Sequence, residues 1–92
     1  DYENNLKTCL KVIKNTPEND QNYPTRLLNL AYAYGMLGEF NKSSEIFKKA
    51  IESCRSIYGS EHQKYIEIID AFGQHNYNQK NFEAATTTPI HY

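Results

Sequence analysis

Apolar residues recur along this chain at helical spacing, in blocks separated by short polar turns. In the first block Leu6, Cys9, Leu10 and Ile13 fall at i, i+3, i+4 and i+7, one face of a helix from about Tyr2 to Asn15. Pro17 and the polar residues through Asn22 end it. Pro24 suits the first turn of a second helix, where a missing N–H would have no partner anyway. Leu27, Leu30, Ala31, Tyr34 and Leu37 carry its stripe, and Gly38 and Glu39 make the next turn. Asn41 is the expected N-cap of a third helix. Its stripe is Ser43, Phe47, Ala50, Ile51, Cys54 and Tyr58, and Gly59 is its expected stop in the left-handed region. Ser60 and Gln63 fit a capping box for a fourth helix, with Tyr65, Ile66, Ile69, Phe72 and Gly73 as its core face and Tyr77 near its end. A polar turn from Asn78 to Asn81 follows, then Phe82 to Ala85 as the first turn of a fifth helix. Thr86, Thr87, Thr88 and Pro89 stop it, because β-branched residues and proline are poor helix material. No segment alternates apolar and polar residues as a strand would. The chain is read as all-α, with short connections that make neighbouring helices antiparallel.

The blocks repeat. A shift of 42 lays Leu27 on Ile69, Leu30 on Phe72, Ala31 on Gly73, Phe40 on Phe82 and Ser43 on Ala85. A shift of 41 lays Leu6 on Phe47, Cys9 on Ala50, Leu10 on Ile51 and Ile13 on Cys54. Each unit is therefore a helical hairpin, and hairpins that repeat at fixed period stack into a solenoid. Residues 1–15 read as the second helix of a preceding unit and 23–59 as a complete unit. Residues 60–85 read as the first helix and the start of the second helix of a following unit, and 86–92 as an irregular tail. Starting at Asp1 and ending in a broken unit, the chain is expected to be a piece of something longer, and marginal, molten or oligomeric by itself.

The stretch Leu27-x-x-Leu30-Ala31-x-x-Tyr34, then Gly38-x-Phe40-x-x-Ser43, then Phe47-x-x-Ala50 resembles the tetratricopeptide repeat. Small residues at Ala31, Ser43 and Ala50 let two helices approach, and the large ones fill the space left between them. The long period, the element Tyr58-Gly59-x-x-His62 and the run Leu27-Leu28-Asn29-Leu30-Ala31 are similar to the kinesin light chain type of that repeat. The resemblance implies antiparallel hairpins stacked as an α-solenoid, with Leu27, Leu30, Ala31, Tyr34, Phe40, Phe47, Ala50, Ile69, Phe72 and Gly73 as repeat core. It also implies a concave groove for a partner segment at Thr25, Leu28, Asn29, Tyr32 and Met36, then at Glu67, Asp70 and Gln74 in the next unit, with Tyr77 beyond them. On this resemblance the chain is a non-enzymatic scaffold or adaptor for protein–protein interaction. Two other roles stay open: a structural strut in a large cytoskeletal or ciliary assembly, and the helical substrate-gating arm of a SET or MYND methyltransferase.

Composition narrows the partners. Ten Lys and Arg against eleven Asp and Glu give a net charge of -1, without the basic excess that nucleic acid or a membrane surface requires. A mean hydropathy of -0.77 goes with the lack of a long apolar run, so membrane insertion is not expected. The groove positions carry Glu67 and Asp70 and no Lys, which disfavours a C-terminal carboxylate and points to a neutral or basic protein or peptide partner. Cys9 and Cys54 sit at apolar helical positions and read as small buried hydrophobes in a reducing, cytoplasmic compartment, with association with the cytoskeleton left open. No cysteine or histidine has a second ligand at metal spacing, so no metal and no cofactor are expected. Glu67 and Asp70 have no nucleophile or histidine beside them for acid–base work, and no catalytic residue is assigned. His62 is expected to close its turn, His75 to be solvated on its helix, and His91 to lie near a frayed end.

Overall fold

A computed structural model of the chain describes residues 1–87. It holds four helices in chain order, α1 (Tyr2–Lys14), α2 (Tyr23–Met36), α3 (Phe40–Tyr58) and α4 (Gln63–Thr87), and no strand among the described residues. α1 packs on α2, α2 on α3 and α3 on α4. The fold is all-α, a stack of antiparallel helices of the helical-repeat kind.

Local chemistry explains most boundaries. Asp1 caps α1 by accepting from the Asn4 N–H at 2.8 Å. α2 closes with Gly38 at φ +78, where the Gly38 N–H reaches the Gly35 carbonyl and the Glu39 N–H reaches that of Tyr34, both at 3.0 Å. That double bond around a left-handed glycine satisfies two end carbonyls of α2. The turn is so tight that α3 begins at Phe40 with Glu39 as its cap residue. Asn41, the expected cap, lies inside the first turn. Gly59 ends α3 at φ +90, a positive φ that favours glycine, although its ψ of 158 is not the left-handed helical value. The start of α4 also differs from expectation. His62, not Ser60, caps it, its Nδ1 accepting from the Lys64 N–H at 3.1 Å. The same ring packs on Tyr58 at 4.6 Å between centroids.

The core forms where α2 meets α3. Leu27, Leu30, Ala31, Ala33, Phe47, Ala50 and Cys54 are buried, as is the polar Ser43. Ser43 is tolerated there because its hydroxyl donates to the Ala31 carbonyl at 2.6 Å, which removes the cost of an unpaired buried polar group. Tyr34 and Phe40 are half-buried. The connection from α1 to α2 is held from both sides. Thr16 donates to the Val12 carbonyl and accepts from Arg26, each at 2.6 Å, and the Tyr58 hydroxyl donates to the Gln21 carbonyl at 2.9 Å.

The largest departure is α4. The sequence predicts a turn at residues 78–81 and a new helix at Phe82, yet α4 runs unbroken to Thr87. Lys80 stands one repeat after Gly38, and a lysine adopts a positive φ only at a cost. Gln74 donates to Asn78 at 3.0 Å, an i,i+4 bond that supports the helix through this stretch. Thr86 and Thr87 fall in its last turn, not in a tail. Residues 88–92, including Pro89 and His91, lie outside the described residues.

An unbroken α4 leaves an apolar stripe uncovered. It packs on α3 through Phe72 and His75, which meet Phe47, and through the buried Ile68, which clusters with Ala50 and Cys54. Of the expected core face, Tyr65 and Phe72 are half-buried, but Ile66, Ile69, Gly73 and Tyr77 are exposed. Leu27 is 2% exposed and its repeat equivalent Ile69 is 39%. A side chain added at Gly73 would meet nothing within 4 Å, whereas its equivalent Ala31 is fully enclosed. The helix that covers Leu27 and Ala31 is α3, and the second unit has no such helix among the described residues. The radius of gyration, 14.7 Å, accordingly exceeds the roughly 12 Å of a compact domain of this length. No helix among the described residues is long and apolar enough to cross a membrane.

This asymmetry is measurable. Leu27→Ala should cost about 2–5 kcal/mol in urea denaturation, as buried leucine truncations do. Ile69→Ala, at the equivalent but uncovered position, should cost less than about 1 kcal/mol.

Candidate interaction groove

By the shift of 42, α2 and α4 occupy equivalent positions in the repeat. They lie on the same side of α3 and leave a cleft between them, with α3 as its floor. The cleft deepens into a cavity of about 150 Å³. Ala31, Tyr32 and Gly35 of α2 form one wall, and Ala71, Gln74 and Asn78 of α4 the other. Phe40, Ser43 and Phe47 of α3 close the bottom beside His75.

The floor is aromatic and tightly packed. The Phe47 ring lies 5.0 Å from that of His75 and 5.4 Å from that of Phe72. Tyr32 stands edge-on to Phe47 at 5.8 Å, so its ring is anchored on one side while 46% of the residue remains exposed. His75 is expected to be solvated, but it is only 7% exposed. Its Nε2 lies 3.0 Å from the Ser44 hydroxyl and its Nδ1 3.5 Å from that of Ser43, partners that make burial of an imidazole tolerable. The shift of 42 places His75 on Ala33, which is also buried. That register was the available signal.

The expected groove residues divide. Thr25, Asn29, Tyr32 and Met36 on α2 are exposed, as are Glu67, Asp70 and Gln74 on α4. Tyr32 and Gln74 line the cavity itself. Leu28 does not belong with them: it is half-buried and packs against the core around Leu27, Ala50 and Ile68. Tyr77 lies away from the cleft, on the uncovered face of α4. Sequence reasoning missed Gly35, Ala71 and Asn78. The last two are the repeat equivalents of Asn29 and Met36, so the register already pointed to them. The groove positions of α2 carry no charge, while α4 contributes Glu67 and Asp70, neither of them ion-paired among the described residues. The groove is therefore acidic along one wall.

A second depression, about 840 Å³, lies between α3 and the α1–α2 connection. It mixes Lys48 and Lys49 with Glu18 and Glu52 and carries no net charge. Among the described residues no three His, Cys, Asp or Glu side chains come together to hold a metal ion. Cys9 and Cys54 are free, and burial pushes both thiols up from their ordinary pKa, so they are protonated and poorly nucleophilic at neutral pH.

A family model described as tetratricopeptide repeat matches residues 23–87. No curated protein and no solved structure matches the chain.

Burial of His75 gives the fold a pH dependence. Its pKa is held below the ordinary 6.5 because desolvation disfavours the imidazolium, with a backbone hydrogen bond at Phe40 working the other way. The unfolded chain takes up a proton near pH 6.5 that the folded chain refuses, so stability is full above that pH and falls as pH drops toward the folded value. Thermal melts at pH 7.5 and 5.5 should show a lower Tm at the acid end. His75→Gln, which cannot titrate, should narrow the difference.

Proposed function

The chain belongs to the tetratricopeptide repeat family, and from that premise we propose that it holds a segment of a partner protein along the groove between α2 and α4. The family is one of protein–protein interaction modules, generally without catalytic activity. The observation that carries this reading is the exposed row Asn29, Tyr32 and Met36 on α2, with Tyr32 lining a cavity opposite Gln74 and Asn78 of α4. An asparagine amide can donate to and accept from the backbone of an extended peptide at once. Tyr32 offers a rigid, half-exposed ring and Met36 an adaptable apolar contact.

We further place the chain as part of a longer array or multi-protein complex, acting as scaffold or adaptor for a neutral or basic segment. The spacing of 42 and the Tyr58–His62 contact at the entry to α4 support the long repeat of the kinesin light chain type. The two free cysteines support a reducing compartment such as the cytoplasm. A second reading, a strut packed between neighbours, is favoured by the uncovered stripe of Ile66, Ile69 and Tyr77 on α4.

The two are separated by a double variant. Asn29→Ala with Tyr32→Ala should reduce at least tenfold the partner protein retained by the immobilised chain, with the helical circular dichroism unchanged. Lys49→Ala, outside the groove, should retain the same amount. Full retention by a folded double variant would remove the groove from the reading and leave the strut.

A further inference from the structure

Resting on the groove reading above, we propose that the cavity between α2 and α4 takes one aliphatic side chain of the partner segment, and that a lysine or arginine three residues away on that segment meets Glu67. The partner is therefore a basic–apolar stretch of extended chain, read as two anchors at fixed spacing.

The cavity selects an apolar occupant. Small residues, Ala31 and Gly35 on one side and Ala71 on the other, open its walls above the Phe47 ring, beside the larger Tyr32, Gln74 and Asn78. Its deep polar atoms are already engaged. The Ser43 hydroxyl donates to the Ala31 carbonyl, and His75 Nε2 lies within hydrogen-bond distance of Ser44. A polar side chain inserted there would lose its water without gaining a partner, which costs more than an aliphatic one gains. A volume of about 150 Å³ suits a group of leucine size and is too small for an indole; a cavity of that order, lined by apolar groups, accepts a benzene ring. At the rim, the Gln74 side chain donates to the Asn78 side chain, a bond that uses neither Gln74 Oε1 nor Asn78 Nδ2, so both can serve a passing backbone.

The second anchor follows from the helix. Glu67, Ala71, Gln74 and Asn78 fall at i, i+4, i+7 and i+11 of α4, so Glu67 stands on the row that lines the cavity. Seven residues of helix between Glu67 and Gln74 span about 10 Å. Three residues of extended chain cover that distance at roughly 3.3 Å each. Glu67 is exposed, unpaired among the described residues, and reinforced by Asp70 one turn away. No lysine or arginine occupies a groove position on α2 to compete with an incoming cation.

Fluorescence anisotropy on the full chain tests this with fluorescein-labelled Ser/Gly dodecapeptides carrying Arg-x-x-Leu or, for the opposite chain direction, Leu-x-x-Arg. One of the two should bind, and should weaken at least fivefold when its leucine becomes serine or when the spacing is cut to one residue. Gly35→Ala should shift preference from leucine to valine. The added methyl would sit 3.6 Å from Ser43 Oγ and 4.0 Å from His75 Nδ1, ordinary contacts that leave the fold intact and the cavity smaller. Glu67→Lys should weaken the arginine peptide at least threefold and favour its aspartate counterpart. Binding indifferent to the leucine, to Gly35→Ala and to Glu67→Lys, but lost in the Asn29→Ala, Tyr32→Ala variant, would overturn the two anchors and leave the groove standing. No binding of either peptide at 1 mM would also overturn the two anchors, while the partner-retention measurement decides the groove separately.

Discussion

One ring holds this structure in register. Phe47, at the middle of α3 and 1% exposed, is touched by Tyr32 from α2 and by Phe72 and His75 from α4. It sets the distance at which the two outer helices ride on α3. Alanine and serine one turn to either side, Ala50 and Ser43, are fully buried because nothing larger would let α2 come close enough to Phe47 to pack. Close packing and spacing are thus two aspects of the same arrangement: small residues set the approach and the aromatic limits it. Because the ring also floors the cleft, the depth of the groove is fixed by the core and not by surface side chains.

The elements that could be read in advance were those with clear punctuation. α1, α2 and α3 each carry one apolar stripe, bounded by Pro17, Pro24, Gly38 or Gly59, and the structure follows it to within a residue or two. α4 has two stripes. Ile68, Phe72 and His75 form one, and Ile66, Ile69, Gly73 and Tyr77 the other, nearly opposite. Periodicity alone cannot rank two apolar faces on one helix; packing on α3 does so. The turn expected at 78–81 rested on four polar residues without a glycine or proline among them. Polar residues of this kind sit as well in an exposed helix as in a turn.

The groove was legible as a register and not as a shape. Counting from Leu27 placed Asn29, Tyr32 and Met36 on an exposed face, yet it also placed Leu28 there, which the structure turns into the core. A residue one step from a buried leucine on a helix straddles the boundary between faces, and only the neighbouring helix decides its side. His75 was misread for a related reason. An isolated histidine on a polar-looking segment is ordinarily solvated, but Ser43 and Ser44, thirty-odd residues away in sequence, supply what it needs to be buried. Long-range pairing of polar side chains leaves no local trace.

The position of those polar groups bears on how the groove can work. Ser43, Ser44 and His75 lie between the hydrophobic core and the cleft, satisfied by one another and by the Ala31 carbonyl. A partner side chain entering the cavity therefore meets a floor whose hydrogen bonds are already made and whose rings are locked against Phe47. A floor packed and hydrogen-bonded in this way has little room to reorganise, so an entering side chain would spend little ordering entropy there and be selected by fit. The opposite holds along the rim, where Glu67, Asp70 and Asn29 are solvated and free to adjust. On the proposed two anchors, rigid shape at the bottom and adaptable charge at the edge would divide recognition between side-chain size, limited by Gly35 and Ala71, and electrostatic register, given by Glu67. With acidic groups on the α4 wall and none at the groove positions of α2, a cation on such a segment would have one wall to meet and so one direction to run along α4.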